Sequence, residues 1–175
     1  MLREATRRAG VVPNAAYRHF ANRDALLRAV RAAALSSLAV AMEKRLARLR
    51  GDPGSVDFAR GALRAIGTAY LEFAGKEMGL FRTAFAMAGD PETTSDPGWA
   101  GQSGLNPFQL LGSALDRLVA AGALPASRRP GAEYLAWSAV HGLAMLVLEG
   151  PLRRLTRVQA RTIGEQLLDM VEKGL

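Results

Sequence analysis

Tyr17, Arg18 and His19 follow one another directly in this chain, Arg23 lies four residues on, and Arg3, Arg7 and Arg8 precede them. The whole protein has two histidines and three tyrosines, so one of each within three residues of a basic opening marks a site of chemistry. A phenol and an imidazole each offer a donor on a semi-rigid ring, which suits a phosphate oxygen. Arginine can bind phosphate or the edge of guanine in bidentate fashion. Asn14 sits just ahead and would share the same exposed surface.

Such side chains reach a groove only if a helix presents them. Leu2, Ala5, Thr6 and Ala9 mark one face of a short first helix, and Gly10 falls where it should stop, since glycine takes the left-handed C-terminal conformation most easily. Pro13 suits the first turn of the next helix, where its fixed φ fits and its missing N–H has no helical partner. Val12, Ala16 and Phe20 recur every four residues as the buried stripe of that second helix. Asn14, Tyr17 and Arg18 then point outward. Two short helices meeting at a glycine turn form a helix-turn-helix, whose second helix enters the major groove.

Charge agrees with this placement. Residues 1–50 hold eleven Lys/Arg against three Asp/Glu, whereas 51–175 hold twelve against thirteen. The basicity belongs to one end, as expected of a polyanion-facing segment joined to a neutral body. Cysteine is absent, which removes disulfide and thiolate chemistry and fits a reducing, cytoplasmic setting. No Ser/His/Asp arrangement, paired-carboxylate motif or phosphate loop is present, so an enzyme is not expected. No cofactor or metal site is expected either, because no histidine or cysteine lies near His141 in sequence. The longest apolar run, 132–148, is interrupted by Ser138, His141 and Gly142 and falls short of the roughly 20 residues of a bilayer crossing.

The remaining periodicity is helical throughout, and the fold class is all-α. Asn22 is the expected N-cap of a long helix carrying Leu26, Val30, Ala34, Leu38, Met42, Leu46 and Leu49 down to about Arg50. GDPGS at 51–55 ends it. Further helices are expected near 56–75, 77–88, 106–121, 131–149 and 156–173, with a long loop at 89–105. Two domains follow: a helix-turn-helix over 1–31 and a helical body over 32–175.

LREATRRAGVVPNAAYRHFANRDALLRAV resembles the DNA-binding segment of TetR-type transcriptional regulators. The match rests on Ala9-Gly10-Val11, Tyr17-Arg18-His19-Phe20, Arg23 and Leu26-Leu27. The resemblance implies phosphate contacts from Tyr17, His19 and Arg23, and bases faced by Pro13, Asn14, Ala15 and Arg18. Val12 stands where the family pattern has a Ser or Thr cap, a change that costs around 1 kcal/mol. The pattern also places an amphipathic helix ahead of this segment, so the reading takes 1–31 as truncated at its N-terminus.

The resemblance further implies a body with an effector pocket among its middle helices and homodimerisation through the last two. A dimer would space two recognition helices about 34 Å apart on a two-fold operator in double-stranded DNA. The string Trp137-x-x-x-His141-Gly142 is similar to a subtype of the TetR-type C-terminal domain with a Trp-His-Gly signature. Candidate interface residues are Val140, Leu143, Val147, Ile163, Leu167 and Met170. Candidate pocket residues are Tyr70, Phe73, Phe81, Phe85, Met87, Trp99, Phe108, Trp137 and His141, each of which has an equally simple core reading. The absence of a charged cluster in this region points to a hydrophobic or weakly polar effector. The expected function is thus a ligand-responsive repressor. The alternative is an all-α small-molecule-binding protein with a vestigial DNA-binding segment.

Overall fold

The computed structural model of the chain describes residues 20–85 and 96–175. Gly10, Pro13, Asn14, Ala15, Tyr17, Arg18, His19 and Met87 lie outside the described residues. Among those described, six α-helices and two 3-10 turns form the fold, and no strand occurs.

Local signals set most of the boundaries. Helix α1, Arg23–Leu46, starts at Asn22, whose side chain accepts from the Ala25 amide at 2.8 Å. It ends a turn short of the expected Arg50, before Gly51, which adopts a φ of 113° open mainly to glycine. Helix α2, Val56–Lys76, is capped by Ser55, whose hydroxyl accepts from Phe58 at 3.2 Å. Helix α3 spans Met78–Phe85. Helix α4, Pro107–Ala120, and helix α6, Arg157–Gly174, each open with a reciprocal capping box, Asn106 with Gln109 and Thr156 with Gln159. Between them lies α5, Ala132–Leu148, entered through left-handed Gly131.

Helix α2 is the centre of the body and packs against each of the other five helices. Its sequence explains this role. Ala59, Ala62, Ala65, Ala69 and Ala74 are all buried, and their small side chains let neighbours approach. A Cβ at Gly67 would overlap Leu168 of α6. The larger Leu63, Ile66, Tyr70 and Phe73 fill the space between. Phe81 of α3 is fully buried against Tyr70, with ring centroids 5.4 Å apart and nearly perpendicular. Truncating such a ring costs about 3–5 kcal/mol.

By length and composition α1 is apolar enough to cross a bilayer, a property the sequence reading assigned to no segment. Its surroundings are those of a packed helix: it lies against α2, α3, α4 and the 3-10 turn Pro97–Trp99. Arg31 within it donates from Nε to the Ala84 carbonyl at 3.0 Å.

Candidate functional site: an apolar cavity with a polar triad

A cavity of about 310 Å³ opens between α1, α2, α4, α5 and α6, a volume at the small end of ligand pockets. Its walls are mainly apolar: Leu35 and Met42 from α1, Leu63 and Ile66 from α2, Leu111 from α4 and Val140 from α5. Trp99, Phe85, Phe108 and Trp137 add aromatic surface. Phe108 and Trp137 meet edge to face, their centroids 6.1 Å apart.

Three polar side chains converge within this wall. Trp137 Nε1 donates to Tyr70 Oη at 3.2 Å, and that oxygen lies 2.7 Å from His141 Nδ1. Trp137 and His141 are four residues apart on α5, so they share one face, and Tyr70 meets them from α2. Burial pushes the Tyr70 hydroxyl well above its ordinary value, and the hydrogen bond from Trp137 only partly opposes this. Burial also holds His141 below the usual histidine range. Both groups are therefore neutral around pH 7.

Three charged side chains reach the cavity, and the sequence reading named none of them. Arg31 spans to Trp99, its guanidinium 4.8 Å from the ring centroid. Arg64 of α2 pairs with Glu172 of α6 at 2.7 Å and with Asp169 of the same helix. The Glu172 oxygen is buried and forms an ion pair with Arg64 Nε. Charged residues look like surface in a sequence, and only the packing of distant helices brought these to a cavity rim.

Trp99 falls within the long loop expected at 89–105, and it is buried there in a 3-10 turn against Ala34, Leu35 and Ala84. The segment carrying it is tied down at both sides. Ser36 Oγ donates to the Ala100 carbonyl at 2.7 Å, and Glu43 accepts from the amides of Gln102 and Ser103 at 2.9 and 2.8 Å. This strap closes one wall of the cavity.

Of the aromatic candidates, Tyr70, Phe85, Trp99, Phe108, Trp137 and His141 line the cavity together. Phe73 and Phe81 do not. Phe73 faces a separate groove lined by Lys44, Arg45, Glu72 and Lys76, and Phe81 is enclosed behind Tyr70.

The interface candidates divide in the same way. Val140 and Leu143 are buried within the chain, and Val140 is part of the cavity wall. Ile163, Leu167 and Val147 are half-buried, and Met170 is 61% exposed. The outward face of α5 carries Leu135 at 67% exposure and Leu146 at 43%, with Gly142 between them. The sequence reading missed both leucines, because α5 is apolar on nearly every side and offers no period from which to phase it. Arg23 is exposed at the first turn of α1.

Among the described residues the fold is thus an all-α body built around a central helix, with a partly open apolar cavity and an exposed apolar face on its penultimate helix. Residues 63–171 match the family model described as the tetracyclin repressor-like C-terminal domain, and the chain belongs to that family. The family is one of regulators rather than enzymes. A solved structure from Rhodococcus sp. RHA1, described as a protein with unknown function, is similar with a TM-score of 0.74. At 24% identity the likeness covers 100% of this chain and 84% of that one and speaks for the fold alone. No curated protein matches the chain.

Proposed function

We propose that the protein is a ligand-responsive DNA-binding transcriptional regulator, a cytoplasmic repressor that reads a two-fold operator as a homodimer. The cavity beneath the strap is its effector site. One observation carries this reading: α1 belongs to both ends of the mechanism. Its first residue, Arg23, adjoins the basic segment, while Arg31, Leu35 and Met42 further along it line the cavity. At 1.5 Å per residue, Arg23 and Arg31 are only about 12 Å apart along the axis. An effector that seats better with α1 in one position therefore moves the DNA-binding end directly. This works only if its affinity differs between the two positions.

Arg23 itself supports a phosphate role. A cation at the positive end of a helix dipole is unfavourable by about 0.3–1 kcal/mol, so helix stability does not account for its position. Tyr17 and His19 would hold phosphates beside it, and Pro13, Asn14, Ala15 and Arg18 would face the bases. The exposed Leu135, Leu146 and Met170 supply an apolar face for an isologous contact, in which the same patch serves on both copies.

The test is a salt series of binding to duplexes selected from a random DNA pool. The expected plot of log affinity against log salt is steep, indicating several phosphate contacts, and Arg23→Ala lowers its slope by about one. Salt-independent binding, or no selection of any duplex, overturns the regulator reading. Ligand binding without DNA binding would favour the vestigial alternative.

A further inference from the structure

The triad in the cavity wall has a fixed direction of hydrogen bonding, and that direction determines what the cavity can offer a ligand. Trp137 Nε1 has a proton and no lone pair, so it can only donate to Tyr70 Oη. Tyr70 has one proton of its own and is 3% exposed. Among the described residues, the only acceptor it meets is His141 Nδ1, at 2.7 Å. If Nδ1 carried a proton instead, the Tyr70 proton would be buried without a partner, which is unfavourable. Tyr70 therefore donates to Nδ1, and the neutral imidazole carries its proton on Nε2. Nε2 has no hydrogen-bond partner among the described residues, and the ring stands in the cavity wall.

The other charged groups around the cavity are already engaged. From α1, Arg31 donates to the Ala84 carbonyl and lies over Trp99. Arg64 of α2 and Glu172 of α6 neutralise one another. We infer that the cavity selects an uncharged, mostly apolar effector bearing one hydrogen-bond acceptor, a carbonyl, ester or ether oxygen, which takes the Nε2 proton of His141. Tyr70 and Trp137 are positioning residues that fix where that proton sits. This rests on the cavity being the effector site. It also gives a role to two members of the Trp137-x-x-x-His141-Gly142 string, with Gly142 facing away.

Two measurements test it on the full chain. In long-range proton–nitrogen NMR the two histidines are separable, because His19→Ala identifies His19. His141 is expected as the Nε2–H tautomer at pH 7.5, becoming a mixture in Tyr70→Phe. An Nδ1–H tautomer or an imidazolium in the wild type overturns the inference.

The second measurement is displacement of the neutral fluorophore N-phenyl-1-naphthylamine by 2-acetylnaphthalene, 2-ethylnaphthalene or 2-naphthoate. The ketone is expected to bind about tenfold more tightly than its ethyl isostere, which would leave the Nε2 proton unpaired. It should also outcompete the carboxylate. His141→Leu is expected to bring the ketone-to-ethyl ratio near one without weakening the ethyl compound, and Tyr70→Phe to lower the ratio severalfold. Equal displacement by ketone and ethyl compound, or strongest displacement by the carboxylate, refutes the acceptor inference while leaving the cavity as a binding site. No binding of the fluorophore, the ketone or the other naphthalenes removes both.

Discussion

The carboxylate of Glu43, near the end of α1, accepts the Ser103 amide at 2.8 Å and the Ser103 hydroxyl at 2.6 Å across sixty residues of sequence. It also takes the Gln102 amide at 2.9 Å. A Cβ at Gly101 would strike this carboxylate, which explains glycine there. Burial by itself would raise the Glu43 carboxyl, but the Ser103 hydroxyl and the Ser103 and Gln102 amides outweigh it and hold the group below its ordinary value. Glu43 thus anchors one side of the strap that carries Trp99, and Ser36 holds the other through the Ala100 carbonyl.

Glu43→Gln keeps the shape but replaces one accepting oxygen with a donor. Its expected cost is about 1 kcal/mol, less than for fully buried charged hydrogen bonds because the site is partly wet. In a Trp137→Phe background Trp99 is the remaining tryptophan, and its emission should shift to the red as the strap loosens. Because the folded carboxyl is depressed, its contribution is complete above the ordinary carboxylate value and is lost as pH falls through the folded one. An unchanged emission spectrum in the variant would show that Glu43 does not hold the strap.

His141 gives the opposite group type and the same direction of pH response. Burial lowers its pKa in the folded chain, while the unfolded chain titrates near 6.5. Between those values the unfolded state binds more protons, so stability rises with pH through that window. The contribution is complete above about 6.5 and declines as pH falls towards the folded value. Urea midpoints from pH 8 to pH 5 should therefore fall more for the wild type than for His141→Gln. His19 is common to both chains and cancels. Parallel curves would show that His141 titrates no differently on folding.

How much was readable beforehand follows from the kind of signal each element carries. Asn22, with Asp24 just inside the helix, announces α1 locally, and the GDPGS turn announces its end. The amphipathic α2 and α6 show their period directly. The phase of α5 was hidden because Ala132–Leu148 is apolar on nearly all sides, so Val140 and Leu143 looked as suitable for a partner as Leu135 and Leu146. Phe73 and Phe81 could not be told from Phe85 and Phe108 by type. Only long-range packing decides which ring meets a cavity. Arg31 and Arg64 reached the rim for the same reason, through helices distant in sequence.

The Arg64 cluster separates a buried charge from exposed ones. Arg64 pairs with Asp169, which is 52% exposed, and with Glu172, which is 15% exposed. Removing the exposed partner by Asp169→Ala should change stability by no more than about 0.5 kcal/mol. Arg64→Ala leaves the Glu172 carboxylate uncompensated in the cavity wall and should cost several times more. The double variant Arg64→Ala with Glu172→Gln should recover part of that loss. Chemical denaturation of the three variants checks the order, and equal effects from the two single changes would contradict it.

Gly142 provides the sharpest test of self-association. A Cβ there meets nothing within 4 Å among the described residues, so their packing gives no reason for glycine in the middle of α5. Glycine within a helix costs roughly 0.5–1 kcal/mol relative to alanine. Gly142→Ala should therefore stabilise an isolated protomer by about that amount. If the face bearing Leu135 and Leu146 meets a second copy at close range, the added methyl must hold the two helices apart. The variant would then dissociate at higher protein concentration than the wild type. Analytical ultracentrifugation with thermal melts at several concentrations reads both effects at once. A variant that is more stable yet associates as tightly as the wild type would place the interface elsewhere.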